Sequence, residues 1–246
     1  MIKNSCLSSL HIIVHVGKCG GLSIRDHVIE NLPDSQYIDL YGFANPQIPP
    51  LKNSKDVDDY LKTINKKNTR IVMGHFSYYG IHNRHFPKSQ KVRYITMLRN
   101  PYARLLSHYN YLIMGVQGKQ ARRGVRRDDG TIRTIKEWII EFASFNNYMS
   151  KFLYSRMCTS DLIWPDNFND EQYEKMIKSL DKFYFIGDLE RAEKSFSEIY
   201  KMMDLPVKGP HSNQSIIKEK KLKKTEIEIF EKYNKYDIEL YRSLKS

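Results

Sequence analysis

The chain has 246 residues, a formal net charge of +12 and three cysteines, Cys6, Cys19 and Cys158. That length can bury the core of one large α/β domain without metals or disulfides, and the odd cysteine count with no C-x-x-C pair excludes a disulfide framework and a zinc knuckle. No 18-residue apolar segment is present and MIKNSCLSSL lacks the layout of a secretory signal, so a cytoplasmic protein, or the soluble part of an anchored one, without a membrane span of its own is expected.

In chain order the apolar, β-branched runs predict strands at Leu10–Val16, Gln36–Tyr41, Arg70–Phe76, Val92–Leu98 and Phe183–Gly187. Helical patterns fall between most of them: Leu22–Asn31, Val57–Asn65, Pro101–Tyr111, Ile135–Tyr154, Asp170–Leu180 and Glu190–Met203. This alternation predicts an α/β fold with a mostly parallel sheet covered on both faces, in a single domain over 1–246. Ligands of such sheets bind beyond the carboxyl ends of the strands, where the loops after Val16, Phe76 and Leu98 converge. Two basic stretches interrupt the pattern. Residues 117–136 carry seven Lys or Arg against two Asp, with interspersed glycines, and predict a mobile loop. The run KEKKLKK at 218–224 leads into a final helix.

The first strand runs into IIVHVGKCGGLSIR, a strand-to-helix loop with a lysine and a glycine pair. Glycines let backbone approach a ligand, and the first N–H groups of a helix have no partner inside it, so this is an anion site. Walker A order, G-x-x-x-x-G-K-[ST], is absent because Lys18 precedes Gly20 and Gly21, which argues against ordinary ATP. A second motif, MLRNPYARLLSHYNY, offers Asn100 as N-cap and Pro101 as first helical residue. Leu105, Leu106, Tyr109 and Leu112 are expected on its core face, and Arg104, Ser107 and Tyr111 on another. Arg99 ends the strand and, with Ser107, could supply fork-shaped donors and a hydroxyl to a second phosphate.

HVGKCGGLSIRDHV, followed by GHFSYYGI and MLRNPYARLLSHYNYL, resembles the sulfotransferase superfamily, especially its carbohydrate O-sulfotransferase branch related to heparan sulfate 2-O-sulfotransferases. The resemblance implies a P-loop NTPase-like three-layer fold and 3′-phosphoadenosine 5′-phosphosulfate, PAPS, as sulfuryl donor. It implies a 5′-phosphosulfate loop made by Gly17, Lys18, Cys19, Gly20, Gly21, Leu22 and Ser23, with Lys18 at the bridging oxygen, and a 3′-phosphate held by Arg99 and Ser107. Two departures stand out: the family commonly has threonine where this chain has Cys19, and often Asp where it has Asn100.

A sulfuryl group in transfer carries less negative charge than a γ-phosphoryl group, so lysine and backbone donors can suffice and no metal is expected. Cys19 follows Lys18 where a P-loop NTPase has Ser/Thr, and Asp188, the one imitation of a second metal-binding strand end, reads as a turn residue. The acceptor hydroxyl needs a base, and His75, at the end of a predicted strand, matches the histidine base of the resembling glycan enzymes. A second histidine often seen two residues earlier is Met73 here. His11 and His15 read as buried or edge residues. His82 and His85, at i, i+3 spacing with no third ligand, read as surface-loop histidines. Lys208 and Gly209 are further phosphate candidates in a Gly-Pro loop. Arg122, Arg123, Arg126 and Arg127 of the basic loop are expected to steer an anionic acceptor, most readily a glycan, with a tyrosine or a small hydroxylated molecule as alternatives. A P-loop kinase lacks its metal ligands here. A nucleic-acid-binding domain lacks any helix-turn-helix, finger spacing or aromatic RNP pattern, so no nucleic-acid partner is expected. The sequence assigns no oligomeric state.

Overall fold

The computed structural model describes residues 9–41, 48–88, 90–114, 124–142, 146–207 and 221–245. In chain order the elements are β1 Leu10–Val14, α1 Gly21–Asn31, β2 Tyr37–Asp39, α2 Ser54–Thr63, β3 Ile71–Gly74, α3 Ile81–His85, β4 Val92–Leu98 and α4 Pro101–Met114. They continue with α5 Ile135–Glu141, α6 Tyr148–Cys158, α7 Asp170–Ser179, β5 Phe183–Asp188, α8 Ala192–Met202, α9 Lys224–Tyr233 and α10 Lys235–Ser243. The chain forms two compact units, Met1–Leu98 with Phe152–His211, and Arg99–Lys151 with Ser212–Ser246.

The first unit holds one five-stranded sheet in the order β2-β3-β1-β4-β5, and every pairing is parallel. The α/β class and the covered, P-loop-like sheet expected from the alternation are therefore present. β1 is central, and all five of its residues are buried, as a strand covered on both faces requires. Its register sets Val14 opposite Gly74 of β3 and Thr96 of β4, so the carboxyl ends of three adjacent strands lie side by side. Three predicted strands overshoot; of Gln36–Tyr41 only Tyr37–Asp39 is strand. His15 N still bonds Gly74 O at 3.3 Å, but the chain then closes a turn, Cys19 N to Val16 O at 3.2 Å, and β3 gives way to a turn at His75. β4 occupies the predicted Val92–Leu98.

The expected helix Ile135–Tyr154 is two helices, because Asn147 adopts a left-handed φ of 52° that no continuous helix accommodates. In the second unit the first N–H groups of α6 are capped from far along the chain: Asp237 accepts from Met149 N at 3.0 Å, Ser150 N at 2.8 Å and Ser150 Oγ at 2.8 Å. The capping is reciprocal. Asn147 Oδ1 accepts from Tyr236 N at 3.0 Å at the start of α10, while Asn147 N donates to Asn234 Oδ1 at 2.8 Å. Around this joint lies a core of Leu105, Tyr109, Leu112, Trp138, Ile139, Phe230 and Ile238. Arg104, expected with Ser107 off the core face, is instead 1% exposed, its guanidinium 4.5 Å from the Tyr148 ring centre. The aromatic face holds this interior arginine, and the buried Asp237 is close enough to feel its charge.

Part of the basic loop 117–136 lies outside the described residues; the rest folds. Arg126 and Ile132 form an antiparallel bridge, Arg133 N bonds Val125 O at 2.8 Å, and Val125 is fully buried. Ile135 and Lys136 already belong to α5, whose start carries a Thr134–Glu137 capping box.

Candidate active site

The loop from β1 to α1 turns through two left-handed residues, Lys18 at φ 67° and Gly20 at φ 87°. Gly20 is the N-cap, no side chain caps the helix, and no acid sits in its first turn. The N–H groups of Ser23 and Ile24 bond back to Gly20 O, whereas those of Gly21 and Leu22 have no acceptor among the described residues. Two open donors at the positive end of an 11-residue helix make an anion cradle. Cys19 is fully buried, with its thiol 3.8 Å from Gly17 O, and Leu22 is largely exposed.

His75 follows β3 directly, beside this loop. Its Nδ1–H donates to His15 O at 2.9 Å, a bond that fixes the tautomer and leaves the lone pair on Nε2. Arg156 Nε donates to the His75 carbonyl at 2.7 Å, and the Phe152 ring meets the imidazole edge-on at 6.2 Å. Burial pushes the His75 pKa down to about 4; the His15 carbonyl opposes this and Arg156 adds to it. The imidazole is neutral at pH 7, as a proton acceptor must be.

His15 is the residue that sequence reasoning undervalued. Its ring stacks on His75, centroids 4.5 Å apart and planes 17° from parallel, with Tyr41 at 5.1 Å from both. A Cβ on Gly21 would lie 1.9 Å from His15 Cδ2, so this glycine is required first by the histidine ring and only then by any ligand. Tyr41 Oη ties the same residue down through Gly21 O at 3.0 Å. His15 Nδ1 is enclosed without a partner, and burial, then His75, then Lys18 hold its pKa well below the usual histidine value. The only sequence trace of this role is its position, three residues before Lys18 at a strand end.

The first unit thus brings Gly17–Ser23 and His75 together. In the second unit, Asn100 caps α4 as expected, its Oδ1 accepting from Tyr102 N at 3.0 Å and Ala103 N at 3.2 Å. Arg99 stands just before that cap and Ser107 lies on α4, both part-buried. Arg126 is exposed, and Arg127 forms a 2.7 Å ion pair with Glu137. Arg122, Arg123, Lys208 and Gly209 lie outside the described residues. His82 and His85 sit on α3, not in a loop: His82 Nδ1 lies 2.8 Å from Tyr94 Oη, and the side chain of His85, 7% exposed, pairs with Asp58 at 2.7 Å. Asp188 Oδ1 accepts from Glu190 N at 3.0 Å, a turn-capping contact. No group of three His, Cys, Asp or Glu fit to hold a metal occurs among the described residues, and no helix among them is long and apolar enough to cross a membrane.

A parallel sheet whose central strand feeds a glycine-lysine loop and a helix with no side-chain cap defines an α/β protein of P-loop-like layout. The model of the sulfotransferase family matches residues 11–242, and the chain belongs to that family. The reading of the paired motifs as those of the PAPS sulfotransferase superfamily is thereby borne out. Among solved structures the chain is similar to mouse sulfotransferase SULT7A1 complexed with PAP, at 14% identity and a TM-score of 0.42, covering 81% of this chain and 60% of that one. It is also similar to a fungal RNA kinase, at 13% identity and a TM-score of 0.27, covering 71% of this chain and 97% of the kinase. No curated protein matches its sequence.

Proposed function

We propose that the protein is a PAPS-dependent O-sulfotransferase with a glycan acceptor, and that residues 1–246 act as one sulfotransferase domain. The observation that carries this reading is the pairing of an open helix N-terminus beside Lys18 with a neutral, anchored His75 at the neighbouring strand end. The loop fits a phosphosulfate: Gly21 and Leu22 offer unpartnered N–H donors, and the left-handed backbone at Lys18 and Gly20 keeps them open. When bound, PAPS supplies an activated sulfuryl group whose transfer to an alcohol leaves adenosine 3′,5′-bisphosphate, PAP. Lys18 neutralises the charge that develops on the phosphate side, and His75 Nε2 takes the proton of the acceptor hydroxyl. Negative charge arriving in the loop favours the imidazolium and so offsets the effect of burial on His75. The resemblance assigns the 3′-phosphate to Arg99 and Ser107. The net charge of +12 supports an acidic acceptor, and the free thiols of Cys19 and Cys158 fit a reducing, cytoplasmic compartment.

Thermal unfolding with separate additions of PAP, ATP with Mg²⁺, and a single-stranded oligonucleotide tests the reading, since a ligand that binds only the native state raises its apparent stability. Stabilisation by PAP alone is expected. An equal or larger response to ATP with Mg²⁺ would assign the loop to a kinase instead. Sulfate-labelled PAPS offered with acidic glycans, tyrosine peptides and small alcohols then identifies the acceptor.

A further inference from the structure

Away from the donor loop, the first unit carries a strongly basic concavity. A cavity of about 460 Å³ lies where α6 ends, walled by Tyr78–Gly80, Met157–Ser160 and the face of α7 that carries Lys175 and Lys178. Lys182, in the turn after α7, closes the stripe at i, i+3, i+7 spacing, and Arg84 stands opposite. No acid lines it. Arg84 is held by Asp58 at 2.7 Å, and Lys182 Nζ is committed to Met157 O at 3.2 Å, where it satisfies the C-terminal end of α6. Lys175 and Lys178 are exposed; the Lys175 ammonium lies 6.0 Å from the Tyr154 ring centre, and no ion pair of either lysine is seen among the described residues.

The cavity is linked to His75 by two covalent routes. α6 places Phe152 and Arg156 against His75, and its next two residues are cavity wall. From His75 the chain runs to Gly80, whose N–H bonds Tyr94 Oη at 3.0 Å. Tyr94 stands level with Ile12 and Val72, two residues back from Gly74, where β3 ends just before His75.

We propose that this cavity is a subsite for an anionic sugar unit of an oligosaccharide acceptor whose reacting hydroxyl lies at His75. The proposal rests on the reading of His75 as the base. Lysines take the sulfate or carboxylate, and the hydroxyls of Thr159 and Ser160 match those of a sugar. A base-stacking role is disfavoured, because the Tyr79 ring already carries the Lys182 ammonium 4.1 Å from its centre.

The probe is a fully sulfated trisaccharide, which has no hydroxyl left to accept a sulfuryl group, titrated calorimetrically into wild type, Lys175→Glu/Lys178→Glu and the milder Lys175→Gln/Lys178→Gln. Tenfold or greater weakening in the Glu pair is expected, with a smaller loss in the Gln pair and PAP affinity within twofold of wild type in both. Unchanged trisaccharide affinity overturns the subsite, as does an oligonucleotide of equal charge that binds wild type as tightly and loses the same factor. If wild type binds the trisaccharide through these lysines yet fails to bind PAP, the acceptor role is overturned together with the sulfotransferase reading.

Discussion

Lys18 occupies a backbone conformation that costs an L-residue roughly 1–2 kcal/mol, at a position where glycine would cost nothing sterically. Strain of this kind persists where a side chain is used. Lys18→Gly is therefore expected to be at least as stable as wild type in urea and to lose a hundredfold or more in kcat, since the ammonium acts on charge that develops only in the transition state. Near-normal turnover would remove Lys18 from the chemistry. The neighbouring question is whether His15 merely fills space. Its ring packs against both Gly21 and His75 and shares in keeping His75 dry. With His75 at about 4, the acid limb of kcat/KM belongs near that value and not near 6.5. His15→Phe keeps a flat ring and should keep the limb low. His15→Ala admits water, and the limb should climb towards 6.5 as kcat falls. A limb that stays put in the Ala variant would make His15 a packing residue only.

Asp237 shows how one element can depend on another that the sequence places far away. Three donors at the start of α6 converge on its carboxylate, and the Arg104 charge opposes the upward push that burial gives its pKa. Asp237→Ala leaves those donors and Arg104 uncompensated, and should cost about 3 kcal/mol, against about 1 kcal/mol for Ser150→Ala, which removes a single bond. Comparable urea midpoints for the two variants would show that the cap matters little. The same contacts explain why the predicted helix Ile135–Tyr154 is broken. Helical apolar spacing runs on through 143–154, and the residues that cap the second helix, Asn234 and Asp237, lie too far along the chain for any local pattern to reveal. β4 was legible because its apolar run ends at an arginine followed by an Asn-Pro helix start. The ends of β1 and β3 were not, since the chain stays extended after the hydrogen-bond ladder stops. The glycine-lysine loop was readable from composition and order alone. The contact that makes Gly21 necessary is a packing fact between a strand and a helix, and Arg104, spaced like a surface residue, is buried against the Tyr148 ring of another helix.

Three histidines of the first unit, His11, His15 and His75, are held neutral: His11 and His75 with pKa values lowered to about 4, and His15 lowered well below its usual value. Burial is the leading cause in each. A lowered histidine pKa means that the unfolded chain takes up protons below about 6.5 while the folded state refuses them down to about 4. Stability therefore falls as pH drops through that window, by roughly 1.4 kcal/mol per pH unit for each such histidine. At pH 4.5 His11 and His75 together account for a loss of roughly 5 kcal/mol, a large part of the stability of a typical domain. Asp237, in the second unit, works the other way. Its pKa is raised by burial, so the ionised form is a cost at neutral pH that protonation relieves on acidification. Acid should accordingly open the two units unequally. Hydrogen exchange at pH 5 compared with pH 7, corrected for intrinsic rates, should show protection falling first in β1, β3 and the loop at Lys18, while α6 and α10 around Asp237 keep theirs. The urea midpoint should drop over the same interval, and replacing His11 with Phe, which removes one of these titrations, should flatten the drop. A midpoint constant between pH 7 and pH 5 would mean that the histidines are reached by water, and the neutral His75 on which the proposed proton transfer depends would lose its physical basis.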